Sequence, residues 1–128
     1  EIGLGIPAEP LFRSRDRTIP FKTYNACCNG KIVIQPGTGV ILDNGKWYVL
    51  NVNAKTNDQK QDSNYRLGFS LTLKNEGNVK KLENGCSYAI GANDKEDAWS
   101  LFVAPNTLTS TMEAGEYRGA LKIAIEAV

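Results

Sequence analysis

From Tyr65 to Lys74 the side chains alternate without a break: Tyr65, Leu67, Phe69, Leu71 and Leu73 fall on one side, and Arg66, Gly68, Ser70, Thr72 and Lys74 on the other. A period of two belongs to a strand, whose successive side chains point to opposite faces of a sheet so that one face can be buried. The C-terminal segment repeats it, with Tyr117, Gly119, Leu121, Ile123 and Ile125 opposed by Arg118, Ala120, Lys122, Ala124 and Glu126. Ala, Leu, Lys and Glu all favour a helix there. The strict alternation, with no i, i+3, i+4 stripe, predicts a strand instead. Val40-Ile41-Leu42 and Lys46–Leu50 flank Asp43-Asn44-Gly45, and Asn-Gly readily takes the positive φ angles of a tight hairpin turn. Shorter strands are expected at Ile19–Tyr24, Lys31–Gln35, Cys86–Ile90 and Trp99–Ala104, with turns at Pro36-Gly37 and Asn84-Gly85. The polar, aperiodic stretch Asn53–Asn64 reads as an exposed loop, and no segment forms an amphipathic helix of more than about two turns. These features predict an all-β fold, an immunoglobulin-like β-sandwich, with a small barrel as the alternative.

Composition excludes several functions. Fifteen Lys and Arg against fourteen Asp and Glu leave no basic surplus for a nucleic-acid surface. Histidine is absent, which removes Ser-His-Asp and Cys-His catalysis and imidazole-based zinc sites, and three cysteines are too few for a four-thiolate site. No run reaches the roughly 20 apolar residues needed to span a bilayer, so no membrane insertion is expected. Ser70, Ser87 and Ser100 stand alone without a Gly-x-Ser-x-Gly elbow, and no phosphate-cradling glycine loop occurs. The expectation is a binding or structural protein, not an enzyme, with no cofactor or metal. The chain starts at Glu1 without an initiator methionine, which reads as processing or excision.

Glu1-Ile2-Gly3-Leu4-Gly5-Ile6 places Ile2, Leu4 and Ile6 on one face of an extended arm, and Pro7, Glu9 and Pro10 are expected to stop a regular ladder. Two readings follow: a first strand packed in its own sandwich, or an arm that adds to a groove on a neighbouring subunit. Cys27 and Cys28 are adjacent, so only one of them can share a face with Cys86; a disulfide from Cys27 or Cys28 to Cys86 suits an oxidising compartment, against three reduced thiols. Arg13, Arg15 and Arg17, with Lys22, form the densest basic group. They suit an acidic glycan or protein receptor, or else a solvated edge strand protected by charge. Trp47 is either a binding aromatic or a packed one, whereas Trp99, Leu101 and Val103 read as core. Asn93–Asp97 is acidic, but its spacing is that of a turn and not of a calcium loop.

The tail Ala114-Gly115-Glu116-Tyr117-Arg118-Gly119-Ala120-Leu121-Lys122-Ile123-Ala124-Ile125 resembles the closing strand of chaperone–usher fimbrial subunits of Gram-negative bacteria, which often end in a Gly-x-Tyr turn and an alternating apolar strand. The resemblance covers about a dozen residues closely, and the rest only as a pattern of strands with cysteines. It implies a pilin-like sandwich over residues 13–128 that lacks its last strand, and an N-terminal extension over 1–12 that completes a neighbour. Ile2, Leu4 and Ile6 then match donor-strand positions, and Leu121, Ile123 and Ile125 line the acceptor groove. The partners so implied are neighbouring fimbrial subunits, a periplasmic chaperone and an outer-membrane usher, with an extracellular location on the fimbrial surface after export. The competing expectation is a self-complete secreted module that binds carbohydrate or protein.

Overall fold

A computed structural model of the protein describes residues 2–8, 16–24, 29–91 and 96–127. Its strands are β1 (Ile2–Ala8), β2 (Arg17–Tyr24), β3 (Gly30–Pro36), β4 (Val40–Asp43), β5 (Lys46–Leu50), β6 (Arg66–Asn75), β7 (Asn78–Lys80), β8 (Ser87–Ile90), β9 (Glu96–Pro105) and β10 (Gly115–Ala127). They form two antiparallel sheets, one ordered β1-β10-β3-β8, the other β2-β9-β6-β5-β4 with β7 beside β6. The expected all-β sandwich is therefore present, and the C-terminal alternation is a strand. Asn44 and Gly45 both take positive φ (49° and 76°), as the hairpin reading requires.

Among the described residues, small elements that escape the sequence reading include a 3-10 turn at Ser63–Tyr65 and two others. Within the expected loop, α1 (Asn57–Gln61) forms one turn of helix, capped reciprocally by Thr56 and Gln59. The strand β7 pairs with the end of β6 across a turn at Glu76-Gly77, where both residues have positive φ.

The N-terminal arm lies against its own chain. Strand β1 pairs antiparallel with β10, from Ile2 opposite Leu121 to Ala8 opposite Gly115. Pro7 does not stop this ladder, contrary to expectation, because β1 is an edge strand and a proline there need only turn its missing N–H outward. Pro20 sits in β2, the edge strand of the other sheet, under the same rule.

The main core joins both sheets through Leu4, Ile34, Tyr117 and Leu121 on one side and Ile19, Val49, Leu67, Leu101 and Val103 on the other. A smaller cluster gathers around Ile32, Leu73 and Trp99, where the Trp99 indole N–H donates to Thr23 Oγ1 at 2.9 Å. Trp99, Leu101 and Val103 are all buried, as their alternation implies.

Candidate strand-acceptor edge

The approach to β10 is clamped by two buried polar side chains. Tyr117 Oη lies 2.9 Å from Glu113 O and 3.1 Å from Asn64 O, within donating distance of both. Burial raises the pKa of its phenol above the ordinary value. Asn51 donates through Nδ2 to Glu113 O and Ala114 O, while its Oδ1 accepts from Asn53 N. Gly-x-Tyr in the sequence marks the first of these groups; no local pattern marks the second.

Along its first half, β10 is covered on both edges. One edge carries β1. On the other, Gly37 N donates to Ala120 O, Ala120 N to Thr38 O, and Val52 N to Glu116 O. The turn at Thr38-Gly39 packs so close that a Cβ on Gly119 would lie 2.6 Å from Val40 Cγ2 and 2.8 Å from Gly39 O. Because backbone groups alternate between edges, even-numbered residues of β10 turn toward β3, and Tyr117, Gly119 and Leu121 turn toward β1.

Beyond Leu121 the arrangement changes. Strand β3 continues beside β10 as far as Ala127 opposite Gly30, whereas β1 stops at Ile2. The backbone groups of Ile123 and Ile125 therefore face an edge that has no strand partner among the described residues. Side-chain burial declines in step: Leu121 is fully buried, Ile123 is half-buried against both clusters, and Ile125 is 45% exposed. Such an edge, with an apolar side chain beside unpaired N–H and C=O groups, is a template for an added strand.

The residues predicted as donor and acceptor are thus brought together within one chain. Leu4, 1% exposed, lies opposite Gly119; Ile2 and Ile6 stand opposite Leu121 and Tyr117. Leu121 and Ile123 line the seam or its continuation, but Ile125 lies outside the covered part. That departs from the expectation of a continuous groove, because β1 stops four positions short of it.

The other predicted sites are dispersed. Arg13, Arg15, Cys27 and Cys28 lie outside the described residues. Arg17 is exposed at the start of β2 and donates from Nη1 to Gly3 O at 3.1 Å, tying together the edge strands of the two sheets. Lys22 is exposed farther along β2. Trp47 is chiefly a packed aromatic: it is 4% exposed, packs against Phe69 with ring centroids 6.0 Å apart, and donates its indole N–H to Gly85 O. Its alternation with Tyr48 puts it on the inner face of β5, where the sandwich covers it.

Cys86 does not form the expected disulfide; its thiol is free and half-buried against the main core. Its carbonyl accepts from Ile34 N at 2.8 Å. Of Asn93–Asp97, the first three residues lie outside the described set, and among the described residues no group of three His, Cys, Asp or Glu side chains gathers to hold a metal ion.

Comparison with protein-family models, curated proteins and solved structures returns no match.

Proposed function

We propose that this protein is a structural or adhesive fimbrial subunit that polymerises by exchanging its N-terminal strand. The observation that carries the reading is the position of β1 beside the last strand. In an immunoglobulin-like sandwich the strands run A-B-E-D in one sheet and C-F-G in the other. Here β2-β9-β6 fits B-E-D, and β3-β10-β1 fits C-F-G, so an N-terminal strand occupies the place of the seventh strand. Tyr117 supports the same assignment, since a tyrosine near the start of strand F commonly bonds back to the backbone just upstream.

A strand in that place is exchangeable in principle. Strand β1 is held by one ladder, by Leu4 and by a bond from Arg17, and an identical arm from another copy supplies the same ladder and the same leucine. In the intact chain β1 fills its own site; polymerisation then replaces an internal strand by a neighbour's. A shift of register by an even number of residues keeps every side chain on its face. A neighbour's arm advanced by four residues would set Ile2, Leu4 and Ile6 opposite Ile125, Ile123 and Leu121, covering the open edge. In this account a periplasmic chaperone and an outer-membrane usher handle the subunit before it reaches the cell surface.

The self-packed arm equally favours a second reading, a self-complete secreted binding module in which β1 never leaves. The two separate when residues 1–8 are removed and returned as a synthetic peptide. Under strand exchange, the shortened chain is insoluble or self-associated alone, and the peptide or an intact copy captures it as a defined complex in native mass spectrometry. A shortened chain that binds neither, or that is a stable monomer without them, contradicts exchange.

A further inference from the structure

A cleft of about 630 Å³ opens in the second sheet, where β6 loses its neighbours on one side. The pairing of β5 with β6 stops at Trp47, opposite Phe69, and that of β7 at Lys80, opposite Leu73. Among the described residues, Ser70, Leu71 and Thr72 are therefore paired on the β9 side alone. Alternation leaves the hydroxyls of Ser70 and Thr72 on the outer face of β6, with Leu71 inward.

The cleft has one sign of charge. Lys46, Lys80 and Lys81 line it, and no carboxylate does, although the whole chain is nearly neutral. None of these lysines makes an ion pair among the described residues. Its polar groups also include the Asn106 amide, which reaches over β6 because residue 68 is glycine: a Cβ there would sit 2.5 Å from Asn106 Nδ2. Val79, 65% exposed, and Leu82 add an apolar wall.

We propose that this cleft binds a small acidic saccharide, a sugar carrying a carboxylate. Three unpaired ammonium groups favour the carboxylate; hydroxyls and an amide match sugar hydroxyls; the apolar wall accepts the C–H face of the ring. The volume lies in the roughly 300–1,000 Å³ range of small-ligand sites. The gap in β6 spans only about 10 Å, which suits a compact ligand better than an added peptide strand. The site lies on β5, β6 and β7, and does not depend on what β1 does.

Titration of the intact, isotope-labelled protein with glucuronic acid, glucose and triglutamate, followed by NMR, tests this. Glucuronic acid is expected to shift the amides of Ser70, Thr72 and the Asn106 side chain, and glucose to bind about ten-fold or more weakly. The charge-reversal variant K80E/K81E, at one half-buried and one exposed lysine, should weaken glucuronic acid about ten-fold or more while leaving the remaining spectrum in place, and added salt should weaken it further. G68A, which displaces only the end of a flexible side chain, should weaken it less. Absence of shifts in the cleft, equal binding of glucose, or tighter binding of triglutamate than of glucuronic acid each overturns the proposal; the last assigns the cleft to an acidic peptide.

Discussion

Gly115–Leu121 and Lys122–Ala127 are the two halves of one strand, written with the same alternation, and they end in different surroundings. In the first, Tyr117 and Leu121 are fully buried between β1 on one edge and the Thr38-Gly39 turn with Val52 on the other. In the second, β3 is the only neighbouring strand among the described residues, and Ile125 stands half in water. The lesson is that alternation decides which face a side chain takes, while burial of that face depends on whether the strand has neighbours at both edges. The first half is a finished piece of sandwich; the second offers unpaired backbone and an apolar side chain together.

Substitutions on either side of this divide should differ in size. Leu4→Ala removes a fully buried side chain from the seam and is expected to cost about 2–5 kcal/mol in urea denaturation. Tyr117→Phe removes the buried hydroxyl that lies within bonding distance of Glu113 O and Asn64 O, both of which keep a second donor (Asn51 Nδ2 and Glu113 N), and should cost about 1 kcal/mol. It should also change the alkaline limb of stability. Burial raises the Tyr117 pKa above its usual 10.0, so the folded state holds the phenol proton more firmly than the unfolded state. That contribution is whole below pH 10.0 and is lost as pH rises through the folded pKa, so the parent should lose stability above pH 10.0 more steeply than Tyr117→Phe. Ile125→Ala should cost less than about 1 kcal/mol while reducing capture of an added strand. A cost for Ile125→Ala equal to that for Leu4→Ala would break the comparison, because it would mean the second half is covered in solution.

The strands were legible because alternation is a local property: Tyr65–Lys74, the Asn44-Gly45 hairpin and the C-terminal strand all needed no distant partner to be read. Pro7 misled because a proline's effect depends on which edge its N–H would face, and that is a fact of the sheet, not of the chain. Trp47 was ambiguous since both faces of Lys46–Leu50 carry apolar residues, and only the opposing sheet decides that the indole is inside. The apolar alternation of Ile2, Leu4 and Ile6 was legible, but whether the arm packs in its own sandwich or on a neighbour was not, since pairing over more than a hundred residues leaves no local mark. The same holds for Asn51, whose three bonds to a distant loop and to Asn53 are invisible in its surroundings along the chain. The lysine-lined cleft was missed for a similar reason: Lys46 and Lys80 are brought together only by the gap in β6.

Native-state hydrogen exchange of the intact chain tests the account most directly, since it asks whether β1 can leave while the sandwich stays folded. The predicted result is that the amides of Ile2, Leu4, Ile6, Tyr117, Gly119 and Leu121 open together at a free energy well below that of β3 and β9, and that Ile123 and Ile125 exchange fastest between protected Lys122, Ala124 and Glu126. Protection of the β1 amides equal to that of β9, with Ile123 and Ile125 equally slow, would contradict it: the arm would then be a fixed strand and the edge of β10 already closed.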